Sequence, residues 1–569
     1  MVVRDELLLV FDLTSTLLRA GLGVTDLIRG PLIELPTRVG RMAGKSGTRV
    51  EDYLVGAQLA AAEAVTAAGG ARNFDIIDPC RVDQRSGFEV TDWNALEAVF
   101  RYAMHTSLQL QRPPLAHPAV LSLPSSCPQS TVDALHRLLF ERLLLPQLLV
   151  STRPFFASGA AGALSCLVVD VGYRGEGTEV SVVHDNQELP GPSGLRLPHL
   201  DEGVCDDYCA LKLLEAHPDI PQQLLAAAGR GEGAELAPGE LANALRRIVG
   251  ELKVRDLIGL ESPLVAGLSA SANGGAVPGV DGLEGEDGSF DVAKAIVDGK
   301  VNDIVKGAGS NKGKGKEGGQ DDAAATEDDG EFVTVANPFA PAQPAPAPPP
   351  AAPVGPNSEL DLPAADPASA SAPAPAPAPH TTLRVGPARH RYLEPLFLPS
   401  LVAALAPGAS PAAAQLGMHE YARFAGEGAK AVLGEAGVAE AVGVALSAVE
   451  DAEVRAAVGE AVVVVSSGRI ASNRALGPAL VALLSPFRSD LAAGYDAEGQ
   501  PLTRPMRYLR APEYFANFKD RAGEWMVYLG ACVMGKLLLG DSQSKLFMTK
   551  QDYANHGPSF YRQLDPGQS

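Results

Sequence analysis

Cysteine and tryptophan are scarce in this chain of 569 residues, which contains six cysteines and two tryptophans. The cysteines lie at positions 80, 127, 166, 205, 209 and 532, and none of these separations matches the paired spacing of a zinc site. Cys205 and Cys209 share one face of a predicted helix, where free cysteine behaves as a small buried hydrophobe. We therefore expect a reducing compartment and no metal site.

Basic residues are outnumbered by acidic ones. The chain has 47 Lys and Arg against 68 Asp and Glu, which gives a net charge of −21 at pH 7. A protein with this charge is repelled by phosphate backbones, so the composition argues against direct nucleic-acid binding as the main activity.

Long apolar runs are also missing. The longest one we identify, Leu138 to Val150, is interrupted by two charged residues and by Pro146, so we expect no membrane span. Asp5 and Glu6 precede the first apolar run, which is atypical of a signal peptide. The sequence therefore predicts a soluble intracellular protein.

The residues that remain are those of a globular protein with one unusual segment. Hydrophobic residues make up 46% of the chain, enough for two or more cores in a protein of this length. Residues 262–380 depart from this composition, because they are rich in Gly, Asp and Lys and then in alternating Pro and Ala. Such a segment cannot bury enough apolar surface to fold, so we expect a disordered insertion.

The N-terminal stretch contains the first candidate site. An apolar run from Leu7 to Val10 predicts a buried strand, and Asp12 follows it, with the small hydroxyl residue Ser15 in the turn. A second apolar segment then carries Arg19. Such a turn can place backbone N–H groups and a cation around a phosphate. The alternative is a core hairpin with an exposed acid at its tip.

The same pattern recurs about 158 residues later. A predicted strand from Leu167 ends at Asp170 and turns at Gly172, and a run of valines from Ala461 to Ser466 precedes Gly468. Two such turns are what a nucleotide cleft between two lobes requires. On the residues alone, two unrelated acids at strand ends fit equally well.

Longer strings resemble actin. Residues 90–97, Val-Thr-Asp-Trp-Asn-Ala-Leu-Glu, resemble the actin segment Val-Thr-Asn-Trp-Asp-x-Met-Glu, and residues 549–559 nearly reproduce Thr-Lys-Gln-Glu-Tyr-x-x-x-Gly-Pro-Ser. The resemblance covers residues 1–260 and 381–560. It implies an α/β, actin-like fold of two lobes with a nucleotide cleft, shared with Hsp70 and hexokinase. It also implies that Glu359 to Pro363 pairs with the strand that begins at Thr381.

The resemblance divides the chain into five segments. These are a first lobe with the phosphate-loop hairpin (1–150), the first part of the second lobe (151–261), the disordered insertion (262–380), the remainder of the second lobe (381–515) and a C-terminal return to the first lobe (516–569).

The cleft expected from this resemblance departs from actin at the positions that handle phosphate. Thr14, Thr16 and Ser467 stand where actin has glycine, and a side chain at a position that needs positive φ costs about 1–2 kcal/mol. Val150 falls where the family has the glutamine that orients the attacking water, and valine cannot orient or deprotonate water. We therefore expect no hydrolysis, no catalytic residue and no required cofactor.

Retained binding of ATP and Mg²⁺ stays open in a degenerate cleft. The residues that would form it are Asp12, Ser15, Arg19, Asp170, Gly172 and Gly468.

The resemblance is greatest to divergent nuclear members of the family that belong to SWI/SNF and RSC chromatin-remodelling complexes. It implies a nuclear, non-catalytic structural subunit that binds a long helix of the remodeller ATPase and pairs with a second actin-related protein. The groove for that helix would be formed by Phe155, Phe156, Ala160, Met534 and Leu537. Each of these residues is also explained by core packing.

Two other functions fit the same residues. One is an actin-like conformational switch that binds ATP, and the other is a cytoskeletal adaptor. A filament-forming homopolymer is not expected, because residues 42–74 do not resemble the loop that bridges actin subunits.

Overall fold

The computed structural model describes ten stretches of the chain: residues 7–23, 28–111, 116–191, 194–230, 234–259, 332–340, 381–425, 436–484, 506–540 and 546–564. In chain order, their strands are β1 (Leu9–Leu13), β2 (Leu17–Leu22), β3 (Ile33–Pro36), β4 (Val39–Met42), β5 (Tyr53–Leu54), β6 (Phe74–Ile77), β7 (Cys80–Asp83), β8 (Gly87–Val90), β9 (Ala119–Leu123), β10 (Gln147–Thr152), β11 (Cys166–Val171), β12 (Thr178–His184), β13 (Gln187–Glu188), β14 (Leu195–Leu197), β15 (Val333–Ala336), β16 (Thr382–Val385), β17 (Ala461–Ser466), β18 (Arg507–Leu509) and β19 (Met548–Thr549).

The α-helices of the same residues are α1 (Ala57–Ala67), α2 (Trp93–Arg101), α3 (Gln129–Arg137), α4 (Arg153–Ala161), α5 (Glu202–Ala216), α6 (Ile220–Ala227), α7 (Pro238–Val254), α8 (Glu394–Phe397), α9 (Pro411–Leu416), α10 (Val438–Ser447), α11 (Ala452–Val458), α12 (Leu476–Leu484), α13 (Ala522–Gly540), α14 (Lys550–His556) and α15 (Tyr561–Leu564).

The first large sheet has the strand order β19-β10-β9-β1-β2-β3. Strand β1 runs parallel to β9 and antiparallel to β2, and every residue of β1 is buried, as expected for a strand covered on both faces. Strand β19, close to the end of the chain, pairs with β10. Residues from both ends of the chain therefore build one sheet.

The second large sheet repeats this plan. Its main order is β13-β12-β11-β17-β18, with β14 beside β12, and β11 runs parallel to β17 and antiparallel to β12. Asp12 pairs in register with Arg19 across the first hairpin, and Asp170 pairs with Glu179 across the second. Both acids thus lie near the carboxyl ends of corresponding central strands.

Helix α13 packs in the core between the sheets. It contacts α4, β1, β9 and β17. The helical stretch Ala516–Leu539 is long and apolar enough to cross a membrane by length and composition, but 56% of its most apolar window is buried inside the protein. Its contacts are those of a central core helix. The segment from Leu138 to Val150 is divided between a helical end and β10.

The segment predicted as a disordered insertion contains an ordered strand. Residues Val333–Ala336 form β15, which pairs antiparallel with β16, Ala336 opposite Thr382. The sequence Val-Thr-Val-Ala is rich in β-branched residues, a strand signal that the surrounding low-complexity composition hides. The prediction was therefore wrong for these residues. The predicted partner strand, 359–363, lies outside the described residues, as does most of 262–380.

Candidate functional site

The candidate cleft lies where the carboxyl ends of β1 and β11 approach each other. Strand β10 ends at Thr152, and Pro154 helps α4 to begin at Arg153, because proline is favoured in the first turn of a helix. The Arg153 guanidinium lies between the two acids. Its Nη1 is 2.5 Å from Asp12 Oδ1, and its Nε is 2.6 Å from Asp170 Oδ2.

These charges are buried together. The side chains of Asp12 and Arg153 are 0% and 2% exposed. Burial by itself would raise the pKa of Asp12, but the neighbouring Arg153 and Arg19 outweigh it, so the pKa of Asp12 is lowered. Ser122 also donates a hydrogen bond to Asp12 Oδ1 at 2.6 Å. Asp12 is therefore an ionised carboxylate whose oxygens already have partners.

Arg19 joins the first hairpin to the far side of the cleft. Its Nη2 donates to the carbonyl oxygen of Ser467 at 2.6 Å and to Glu524 Oε1 at 3.3 Å, while its Nη1 lies 3.3 Å from Asp12 Oδ2. The side chain is 1% exposed. Its cationic group is thus bonded to protein groups from three parts of the chain.

Glu176 occupies the space between the turns. Its Oε1 accepts hydrogen bonds from Ser15 Oγ at 2.8 Å, from the Thr16 N–H at 3.2 Å and from Thr16 Oγ1 at 3.1 Å. Its Oε2 accepts from the Tyr173 N–H at 2.8 Å and from the Ser467 hydroxyl. One carboxylate therefore satisfies donors of the turns after β1, β11 and β17.

The two glycines predicted to approach phosphate are approached by carboxylate side chains instead. A Cβ at Gly172 would lie 2.3 Å from Glu176 Cβ, and a Cβ at Gly468 would lie 2.0 Å from Glu202 Oε2. Glu202 accepts the N–H groups of Arg469 and Ile470, each at 3.0 Å, and pairs with Lys253 at 2.7 Å. A larger residue is disfavoured at both positions because the side chain of a glutamate already occupies the space that its Cβ would need.

The remaining space at this point is small. A cavity of about 20 Å³ is lined by Ser15, Arg153, Asp170, Gly172 and Glu176, among others. That volume holds about one water molecule. A triphosphate with Mg²⁺ needs open carboxylate oxygens for the metal and free N–H donors for the phosphates. The residues present do not fit ATP and Mg²⁺.

Glu179 lines the same cavity, opposite Asp170 in the β11–β12 ladder. Its Oε2 accepts the Ser126 N–H at 3.4 Å, and Arg196 lies 3.3 Å from its Oε1. Burial raises the pKa of Glu179 to about 7. This carboxyl group therefore exchanges a proton close to neutral pH.

A larger cavity of about 220 Å³ lies beside the turn after β17. It is lined by residues that include Lys253, Tyr392, Arg469, Tyr508 and Lys519, and the lining residues do not include Asp12, Asp170 or Glu176. The Tyr392 hydroxyl is buried and has no hydrogen-bond partner among the described residues. Space for a small organic group thus exists away from the two acids.

Comparison with known proteins agrees with this architecture. The sequence model of the family described as Actin matches residues 5–193. Residues 5–193 are thus similar to an actin domain. The chain is 32% identical to actin-related protein 4 of Arabidopsis thaliana over 127 residues. This matched stretch covers 22% of the chain and 27% of that relative. It is 31% identical to actin-related protein 4 of Oryza sativa subsp. indica, with the same coverage. The matched stretch thus spans about a quarter of the length of these relatives. The predicted actin-like α/β fold is confirmed.

The structure places the predicted cleft residues around one network. Asp12, Ser15, Arg19 and Asp170 all bond to protein side chains or backbone within it. Gly172 contacts Glu176, and Gly468 contacts Glu202. The polar groups of Asp12, Ser15, Arg19 and Asp170 are thus directed at protein groups, and their predicted role in nucleotide binding stays a prediction.

Sequence reasoning missed Arg153, Glu176 and Glu202. Val150, taken as the position of the water-orienting residue, is 8% exposed and lies within β10, so its side chain belongs to the core. The first side chain after that strand that reaches both acids is Arg153. A signal for Glu176 was available, because the turn after Gly172 contains extra residues compared with actin.

The five residues predicted to form a helix-binding groove differ in exposure. Phe156 and Ala160 are buried in the cluster between the sheets. Phe155 and Met534 pack partly against that cluster, and Leu537, on α13, is 61% exposed. A Cβ at Gly159 would lie 2.7 Å from Met534 Cγ, so α4 and α13 already contact each other closely here.

Proposed function

We propose that this actin-related protein is a non-catalytic structural subunit of an ATP-dependent chromatin-remodelling complex in the nucleus. The observation that carries the non-catalytic part is the position of Arg153, which pairs with Asp12 and Asp170 at once. In a nucleotide-hydrolysing cleft these acids would serve the metal. Here both are neutralised by a side chain of the same protein.

The proposed absence of turnover has a second support. Hydrolysis needs a group that orients or deprotonates water. Val150 is apolar and lies in the core of the first sheet. Arg153, which lies closest to the two acids, stays protonated because Asp12 and Asp170 raise its pKa further despite burial. It can therefore donate hydrogen bonds but cannot act as a base.

The proposed membership of a remodelling complex rests on the resemblance to divergent nuclear actin-related proteins. The finer assignment within that group is the fungal actin-related protein nine of SWI/SNF and RSC complexes. The partners would be a long helix of the remodeller ATPase and a second actin-related protein. We propose that the helix contacts Leu537 and the partly exposed Phe155 and Met534, since Phe156 and Ala160 lie inside the core.

Affinity purification of the tagged full chain from nuclear extract, followed by mass spectrometry, tests this proposal. We expect a remodeller ATPase and a second actin-related protein in amounts close to one per tagged chain. Recovery of cytoskeletal adaptor complexes would contradict the proposal. ATP turnover by the purified chain at rates typical of actin would contradict its non-catalytic part.

A pair of matched variants tests the proposed surface. Leu537→Asp places a charge on α13 at a residue that is 61% exposed, and Val65→Asp does so on α1 at a residue of equal exposure. Neither should change the melting temperature. We expect L537D to reduce recovery of the ATPase at least tenfold and V65D to leave it unchanged. Equal recovery with both variants would show that the helix binds elsewhere.

A further inference from the structure

We propose that Glu176 and Arg153 are built-in replacements for a phosphate and its metal ion, so that the cleft is held closed without nucleotide. This inference rests on the proposed non-catalytic function and explains how the cleft is kept rigid in the absence of a ligand. It concerns the isolated chain, and its test does not depend on which complex the chain joins.

The surroundings of Glu176 are those of a phosphate site. Its two oxygens accept two backbone N–H groups and three hydroxyl groups, which come from Ser15, Thr16, Tyr173 and Ser467. Backbone N–H groups that converge from a turn form an anion-binding concavity. The Tyr173 N–H belongs to the same turn as Glu176, and the Thr16 N–H belongs to the turn after β1. Because the carboxylate is part of the chain, it fills this concavity without the entropy cost of binding a free ligand.

The surroundings of Arg153 are those of a cation site. Carboxylates from two strands, Asp12 and Asp170, lie on either side of its guanidinium and form three contacts with it, at 2.5, 2.6 and 3.2 Å. The planar guanidinium binds one carboxylate through two nitrogens and keeps a further nitrogen for the other. An organic cation therefore balances acids that would otherwise need a metal.

The two replacements connect the two sheets. Asp12, Ser15 and Thr16 belong to the first sheet and its hairpin, and Asp170 and Ser467 to the second. Glu176 bonds from the second sheet to the first, and Arg153 bonds from the end of β10 to both. The two sheets are thus joined at this point by hydrogen bonds and ion pairs within the chain.

The first experiment measures the melting temperature of the purified full chain with and without Mg·ATP, and after treatment with EDTA. We expect no change in either condition, because the donors and acids are already occupied. A rise of more than about 2 °C with Mg·ATP, or a similar fall with EDTA, would overturn the proposal.

The second experiment uses chemical rescue of Glu176→Ala by inorganic phosphate. This variant leaves the donors of Ser15, Thr16, Tyr173 and Ser467 around an empty space. We expect its melting temperature to be lower than that of the wild type, and about 20 mM phosphate to restore about 2–4 °C relative to chloride at equal ionic strength. The wild type should not respond.

Glu394→Ala is the matched control, because Glu394 is also buried and accepts hydrogen bonds from Tyr208 and Arg391. An equal effect of phosphate on both variants, or none on E176A, would contradict a phosphate-like site. Should E176A not fold, Glu176→Gln serves instead, since it keeps the volume and loses the charge. We expect E176Q to be less stable than the wild type and unresponsive to phosphate, and wild-type stability in E176Q would overturn the proposal.

Discussion

Asp12 shows, at the scale of one residue, how an acid at the end of a buried strand is bonded entirely to groups of the same chain. Its oxygens bond to Arg153, Arg19 and Ser122. Because removal of one partner from a buried ion pair leaves an uncompensated charge, the acid is now part of what stabilises the fold.

Asp12→Asn should therefore lower the free energy of unfolding by about 3 kcal/mol, since both arginines lose a buried counter-charge. Urea denaturation at pH 7 measures this. Asp133→Asn is the control, because the partly exposed pair between Asp133 and Arg562 should contribute less than about 1 kcal/mol. Equal effects of the two substitutions would show that the buried network adds little.

Glu179 should make stability depend on pH. Its pKa is about 7 in the folded chain, mainly because of burial, and 4.5 is its ordinary value. Between these values the folded state keeps a proton that the unfolded state loses. The contribution of Glu179 to the free energy of unfolding should therefore be greatest below about pH 4.5. It should fall by about 3 kcal/mol as the pH rises to 7 and stay constant above that pH.

Glu179→Gln should flatten this part of the profile, because glutamine does not titrate. Urea midpoints at about pH 5 and pH 8 are sufficient to measure it. Glu453→Gln, an exposed glutamate at the start of α11, should keep the wild-type difference between the two pH values. A profile that E179Q leaves unchanged would assign the pH dependence to another group.

The sequence predicted where the acids Asp12 and Asp170 lie, because the strand and turn signals that place them are local. It did not predict their partner, because nothing local to Arg153 shows that its side chain points at residues 141 positions earlier and 17 positions later. The degeneracy of the cleft was predicted from missing glycines. Its occupation by glutamates depends on tertiary contacts that only the fold reveals.

At the scale of elements, the contact between α4 and α13 sets the geometry of the core between the sheets. A Cβ at Gly530 would lie 1.7 Å from the carbonyl oxygen of Phe156. Backbone atoms cannot yield as a flexible side chain can, so the two helices approach this closely only because residue 530 is glycine.

Gly530→Ala should lower the free energy of unfolding by about 2–3 kcal/mol through overpacking. Gly250→Ala in α7 is the matched control, because nothing lies within 4 Å of the added Cβ. It should instead stabilise the chain by about 0.5–1 kcal/mol through helix propensity. Thermal unfolding of both variants is the measurement, and a neutral G530A would mean that the helices can separate at little cost.

Elements with strong local signals were predicted better than those without. The strand after Leu7 and the valine strand β17 are both present, since long apolar runs bounded by small residues leave little alternative. Strand β15 was missed because four residues within a low-complexity segment give no periodicity to recognise. The pairing of β15 with β16, which is a tertiary contact, is what shows that residues 333–336 form a strand.

For the whole molecule, the β15–β16 pairing shows where the fold can accommodate a long connecting segment. Ala336 lies opposite Thr382, and the backbone N–H of Asn337 donates a hydrogen bond to the Thr381 carbonyl oxygen at 2.9 Å. The strands therefore meet directly, whatever lies between residues 340 and 381. Loop-closure entropy grows only with the logarithm of length, so a long connection costs little here.

Replacement of residues 341–380 by a four-residue Gly-Asn-Gly-Ser connection should leave the fold intact and stabilise it by about 2 kcal/mol. Urea denaturation and the circular-dichroism spectrum of the shortened chain test this. A higher urea midpoint is expected, and an unchanged one would contradict the predicted gain in stability. A lower midpoint would show that the removed residues pack against the rest of the protein.

The long-range contacts of Arg19 have a consequence for folding during synthesis on the ribosome. Its bond to Glu524 joins residues that are 505 positions apart, and its bond to Ser467 joins residues 448 positions apart. A ribosome releases the N-terminal hairpin long before either partner has been synthesised. During that interval the cationic group of Arg19 stays hydrated, and the hairpin cannot reach its final packing until residue 524 has been synthesised.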